Sequence, residues 1–247
     1  IRIYSRMVSC SFVAMTCAAT FLFSSLESCA TGMCFILFYL SLLRSYQDKR
    51  APGIAFYSFA CLGIASLFFV QILYFVPFLW ILMASNMMAL THRMFWATVL
   101  GLVMPYWFAV GYYVVTNQFD AFIDHFAELT QFEPLLQYEA LDIHRIATFG
   151  LVVLLAVIGI IHYMRNSYLD KIRTRMIFEM FITVDILSFV FIILQPQHFD
   201  NLLPIIIVNT SCLFAHYVAL TRTWLTNVTF IVMCLATLGL TIFNLMP

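Results

Sequence analysis

The chain has 247 residues, of which 64% are hydrophobic and 10% charged, with no net charge and a mean hydropathy of +0.97. Soluble domains carry about 25% charged residues, so a water-soluble fold of this size is excluded. Nothing in the balanced net charge suggests nucleic acid. Lipid gives a backbone N–H or C=O no partner outside the chain, which leaves helices or closed barrels. Barrel strands alternate apolar and polar residues, and the run Phe149–Ile161 does not. The expectation is an all-α polytopic transmembrane helix bundle, a single integral membrane domain over 1–247 in a lipid bilayer.

Nine apolar runs are expected to span, at 7–25, 29–44, 53–70, 72–90, 95–116, 145–164, 176–195, 201–220 and 225–244. Several are near the lower limit of roughly 17 residues for crossing hydrocarbon. Gln71 is the sole polar residue between the third and fourth, so these form either two full spans or a re-entrant pair. The chain begins at Ile1 rather than Met, so residues are expected upstream.

Charge falls in the gaps between the runs. Arg2 and Arg6 precede the first; Arg44, Lys49 and Arg50 follow the second; Arg93 follows the fourth. Arg165, Lys171, Arg173 and Arg175 lie between the sixth and seventh, and Arg222 follows the eighth. With nine crossings, eleven of the twelve basic residues share one side, Arg145 being the exception. By the positive-inside rule that side is cytoplasmic, which predicts an inner-membrane protein. Glu27, Gln71, the 117–144 loop, the 196–200 turn and the C-terminus then lie outside, in the periplasm. The loop holds Asp120, Asp124, Glu128, Glu133, Glu139 and Asp142 without a basic residue. Within it Phe119, Phe122, Ile123, Phe126, Leu129 and Phe132 recur at helical spacing. This predicts an external amphipathic helix, acting as a lid or as a gate.

Pro77 and Pro105 are expected to kink their helices. Pro204 falls near the start of the eighth run, and Gly101, Gly111, Gly150 and Gly159 permit close helix contact. The seven cysteines form no CxxC pair and read as small apolar packing residues.

Ionisable groups inside a bilayer cost at least about 2.5 kcal/mol each on insertion scales, which singles out Asp185 and Glu179. Asp185 lies ten residues beyond Arg175, a depth of about 15 Å, near the midplane. Asn209, with Thr210 and Ser211, is level with it on the eighth run. Glu179 lies one turn inside the boundary, and His162 and His216 hold a similar depth. An intramembrane polar site is therefore expected: a Glu179–His162–His216 cluster, and Asp185 with Asn209 above it, together outlining a path for a proton or cation. The plain alternative is that each merely hydrogen-bonds a neighbouring helix or anchors at the headgroups. There is no P-loop, HExxH, GxSxG or metal-spaced Cys/His set, so no catalytic residue, metal site or cofactor is assigned.

The stretches Leu62–Phe68, Val76–Trp80 and Trp96–Trp107, with Asp170–Arg175 and His216–Trp224, resemble an uncharacterised family of multi-pass inner-membrane proteins of Bacteroidota. That family lends no catalytic residues. The first stretches also resemble the central hairpins of polyprenyl-phosphate-sugar glycosyltransferases. That class carries a catalytic acid in the first external loop, where this chain has Glu27 and lacks the acidic pair. Three functions follow as expectations. The first is translocation of an ion, small solute or lipid-linked group around Asp185. The second is a non-catalytic subunit beside other membrane proteins in a larger envelope complex. The third is a membrane enzyme acting on a polyprenyl-linked sugar.

Overall fold

The computed structural model describes residues 6–130, 141–220 and 224–245, without the side chain of Leu225. The described residues are helical, with no strand. The chain divides into two compact units, residues 1–29 with 136–247, and residues 30–135. Arg2, Phe132, Glu133, Glu139 and Arg222 lie outside the described residues.

Six helical segments are long and apolar enough to cross a membrane: Leu26–Ser45, His92–Val115, Ile143–Leu169, Ile172–Leu194, Pro196–Leu220 and Thr226–Leu245. Nine full spans are not found. Three of the expected runs give shorter apolar helices, at Met7–Ala18, Pro52–Phe68 and Val70–Ser85. The causes are local. The first run breaks at Ala19 (φ −100°, ψ 57°) and continues as a 3-10 turn over Thr20–Ser24. The third ends at Phe69, which is extended (φ −141°, ψ 90°), and the fourth opens with a 3-10 segment, Val70–Phe75. Gln71 is buried inside that segment rather than in an outer loop. Pro77 does not kink a helix: it is the second residue of Val76–Ser85, where its missing N–H is not needed.

The first unit holds α1 (Met7–Ala18), α7 (Ile143–Asn166), α8 (Ile172–Leu194), α9 (Phe199–Leu220) and α10 (Trp224–Leu245). α9 is apolar nearly all round, the pattern of a helix without a solvent face. It is buried among α1, α7, α8 and α10. The broken end of α1 is completed by α10. Asn244 Nδ2 donates to the Ala18 carbonyl (2.6 Å) and to Thr148 Oγ1 (3.0 Å), and Thr241 Oγ1 donates to the Cys17 carbonyl (3.2 Å). The final carbonyls of a helix have no intrahelical donor, and here two side chains supply one.

α7 has 24 residues, so its ends stand about 36 Å apart. Arg165 is at one end, followed by the turn that carries Lys171, Arg173 and Arg175. Arg145 is at the other, in a bidentate pair with Asp200 (2.9 Å for each bond) on the first turn of α9. The one basic residue that breaks the charge pattern is therefore neutralised on the spot, and its carboxylate partner suits the positive end of a helix.

The second unit holds α3 (Pro52–Phe68), α4 (Val76–Ser85), α5 (His92–Val115), α6 (Phe119–Ala127) and most of α2 (Leu26–Leu42). α3 and α5 cross closely on two glycines. A Cβ on Gly101 would run into the Phe56 carbonyl, and one on Gly63 into the Leu102 carbonyl. Pro105 lies within α5, beside Gly63. α6 is the expected amphipathic helix. Its Phe122 and Phe126 pack on Tyr106 (6.5 and 5.1 Å between ring centres), and His125 bonds the Ser66 carbonyl at 3.0 Å. The Tyr106 hydroxyl donates to Ser66 Oγ at 2.7 Å. Tyr74 donates to the Leu129 carbonyl. Phe119 and Ile123 stay exposed. The helix thus covers the ends of α3 and α5 as a lid does.

The crossing makes a paired prediction. Gly101→Ala must push α3 away and should destabilise the protein by about 1–3 kcal/mol. Gly111→Ala lies on the same helix with nothing within 4 Å and should be neutral or slightly stabilising. Unfolding in mixed micelles distinguishes them, and equal effects would remove the crossing as the cause.

Candidate functional site

Asp185 falls on the buried stripe of α8 formed by Thr174, Ile177, Phe178, Phe181, Val184, Ser188 and Ile192. The stripe faces α9, so the carboxyl is carried into the bundle with 0% exposure. One donor meets it there: Thr210 Oγ1 on α9 bonds Oδ2 at 3.2 Å. Oδ1 has no partner among the described residues. Asn209, the neighbour of Thr210, is also 0% exposed, and neither its amide nitrogen nor its amide oxygen has a partner among the described residues. The nearby hydroxyls are taken up locally, Ser188 by the Val184 carbonyl and Ser211 by the Val208 carbonyl, both at 2.8 Å.

A buried polar atom left unbonded costs about 1–3 kcal/mol, and few are tolerated. Three such atoms, Asp185 Oδ1 and both ends of the Asn209 amide, lie on neighbouring turns of two packed helices. An unpaired carboxylate would cost more still. The arrangement therefore has room in its bonding for a proton, a water or a small cation. Carboxyl, amide and hydroxyl oxygens are hard ligands of the kind that suit alkali and alkaline-earth ions. Among the described residues, no set of three or more His, Cys, Asp and Glu is grouped as metal ligands.

The second cluster includes a residue beyond those expected, Asp170. His216, 1% exposed on α9, bonds Asp170 Oδ2 through Nε2 at 2.9 Å. Its ring packs on Phe178 and His162, with ring centres 4.6 and 5.7 Å away. Tyr163 stacks on Phe178 (5.7 Å) and donates its hydroxyl to the Arg175 carbonyl (3.0 Å), which fixes the wall behind His216. His162 and His216 are thus brought together as expected. Glu179 is exposed on α8, and its backbone carbonyl accepts from Thr183. Asp170 takes the acidic place. It is the one carboxylate in the otherwise basic 165–175 turn, and that isolation was the signal available for it in the sequence.

The two clusters are stacked along α9. Thr210 and His216 are six residues apart, about 9 Å along the axis. Between them α7 makes its closest approach to α9. A Cβ on Gly159 would sit 2.9 Å from Leu213 Cβ, so Leu213 is held as an apolar step separating the histidine pair from Asn209. A cavity of about 320 Å³ opens beside the histidines, lined by Ile158, Ile161, His162, Arg165, Asn166 and Tyr217.

Stability measurements should separate the roles of the two α9 neighbours. Thr210→Val keeps the shape and removes the one donor to Asp185, so a loss of about 1–3 kcal/mol is expected. Asn209→Leu removes two unbonded polar atoms from an apolar setting and should leave stability unchanged or raise it. A large loss on Asn209→Leu would mean that the amide is fully bonded in the folded protein. The chain matches no family model, no curated protein and no solved structure.

Proposed function

We propose that this helical membrane protein translocates a small ion or solute, with the Asp185 carboxyl as the polar centre of its path. The observation that carries the reading is the buried Asp185–Thr210 pair, with Asn209 beside it and three polar atoms unbonded. A purely structural carboxyl gains most from complete bonding. One that must take up and release a proton or cation needs bonds left open. The stack of His162, His216 and Asp170 toward the 165–175 turn supports an approach from that end, since imidazole exchanges protons near neutral pH. Leu213, pinned at Gly159, is the step that has to move.

In this reading the Arg165–Arg175 end faces the cytoplasm and the Arg145–Asp200 end the periplasm, in an inner membrane, following the positive-inside rule. The short helices at 7–18, 52–68 and 70–85 then enter the bilayer as partial or broken spans. The likeness to multi-pass proteins of Bacteroidota belongs to the same proposal.

Two measurements test it. The protein in liposomes with an entrapped pH-sensitive dye should carry protons when a potassium diffusion potential is imposed, and Asp185→Asn should abolish the flux while the melting temperature is kept. An unchanged rate in D185N removes Asp185 from the mechanism. For orientation, Arg173→Cys and Asp142→Cys, in a background with the exposed native cysteines changed to serine, should react with an impermeant maleimide from opposite sides. Labelling of both from one side would refute the topology.

A further inference from the structure

We propose that the cavity between the ends of α7 and α9 seats one anionic glycerophospholipid, with its phosphate held by Arg165 and Asn166. The proposal needs the chain to reside in a membrane and is independent of the role given to Asp185.

The cavity wall is graded along the axis of α7. Ile158, Ile161, His162 and Arg165 follow at i, i+3, i+4 and i+7, which puts them on one stripe. Seven residues separate Ile158 from Arg165, about 10 Å of rise. The stripe thus runs from a branched apolar wall to a guanidinium at the helix end. A ligand that matches it is apolar at one end and anionic at the other. A soluble phosphate would leave the isoleucine half without a partner. The volume of about 320 Å³ is at the small end of ligand pockets, in keeping with a headgroup whose chains lie outside. Ile161 and Met164 are exposed beside it, which leaves an apolar way out for those chains.

Charge selects the headgroup. Arg165 makes no ion pair or hydrogen bond with a described residue, in contrast to Arg145 with Asp200. The nearest carboxylate in the site, Asp170, is directed to His216 Nε2. No acid lines the cavity, so an ammonium or choline group has no counter-charge there. His162 Nδ1 is buried and without a partner among the described residues, a further polar atom for the phosphate or glycerol oxygens. Tyr217 closes the far wall and is held by its bond to Thr229 of α10 (3.3 Å). Guanidinium with a neighbouring amide is a standard pairing for phosphate oxygens, and basic pockets between membrane helices hold anionic headgroups for the same reason.

The test is native mass spectrometry of the full chain, released from detergent containing equal amounts of dioleoylphosphatidylglycerol and dioleoylphosphatidylcholine. One phosphatidylglycerol should stay bound under activation that strips phosphatidylcholine. Arg165→Gln should lower the retained fraction about tenfold, the loss of one charge-assisted contact. Ile158→Trp should fill the apolar half and lower it with the guanidinium intact. Arg93→Gln, an exposed arginine of the other unit, should leave it unchanged. Equal retention of the two lipids, no change in R165Q and I158W, or an equal loss in R93Q overturns the proposal. So does displacement of the lipid by millimolar inorganic phosphate, which would make the site one for a soluble anion.

Discussion

In an apolar surround each polar group of the chain must find its partner inside the chain, and this constraint organises the fold. The broken end of α1 is possible because Asn244 and Thr241 reach its last carbonyls. Tyr106 is carried into the α3–α5 crossing because Ser66 receives its hydroxyl. Arg145 is tolerated at the start of α7 because Asp200 accepts from both its Nε and its Nη2. Among the described residues, buried polar atoms without a partner remain at Asp185 and Asn209, and also at Thr31, His162, Arg175, Gln195 and His216.

Much of the fold was legible in the sequence, for reasons that also mark where legibility ends. Long apolar runs with charged ends report helices directly, and each of the six long helices falls on one expected run, Leu26–Ser45 on the short second one. Hydropathy does not report whether such a run is one straight helix. The breaks at Ala19 and Phe69 carry no glycine, proline or charge at the broken residue. Their cause is tertiary: donors on α10 for the first, and a turn that buries Gln71 for the second. Pro77 was misread for a related reason, since a proline looks the same in a helix interior and at a helix start until the start is known.

The candidate site was legible to the same degree. Depth alone singled out Asp185 and set Asn209 and Thr210 level with it, because counting residues from a charged end measures distance in a straight helix. It also grouped His162 with His216. Depth says nothing of azimuth, and Glu179 and Asp170 show the consequence. Glu179 has the right height and is exposed, while Asp170 lies in a turn, where no helical phase could be read. The glycines divide similarly. Gly101 and Gly159 sit at close approaches, Gly111 and Gly150 touch nothing, and Gly63 makes a crossing that no pattern announced.

The bond from Asn244 to the Ala18 carbonyl joins residues 226 positions apart. A ribosome adding 5–20 residues per second needs roughly ten to forty-five seconds to cover that distance. Throughout that interval α1 exists without the side chain that completes its end, and all of residues 30–135 emerge meanwhile. The nascent helix must be sheltered by the insertion machinery or by transient neighbours until α10 arrives. Biogenesis of the first unit is therefore a closing of distant stretches of sequence upon each other, and it waits for α10 to be made.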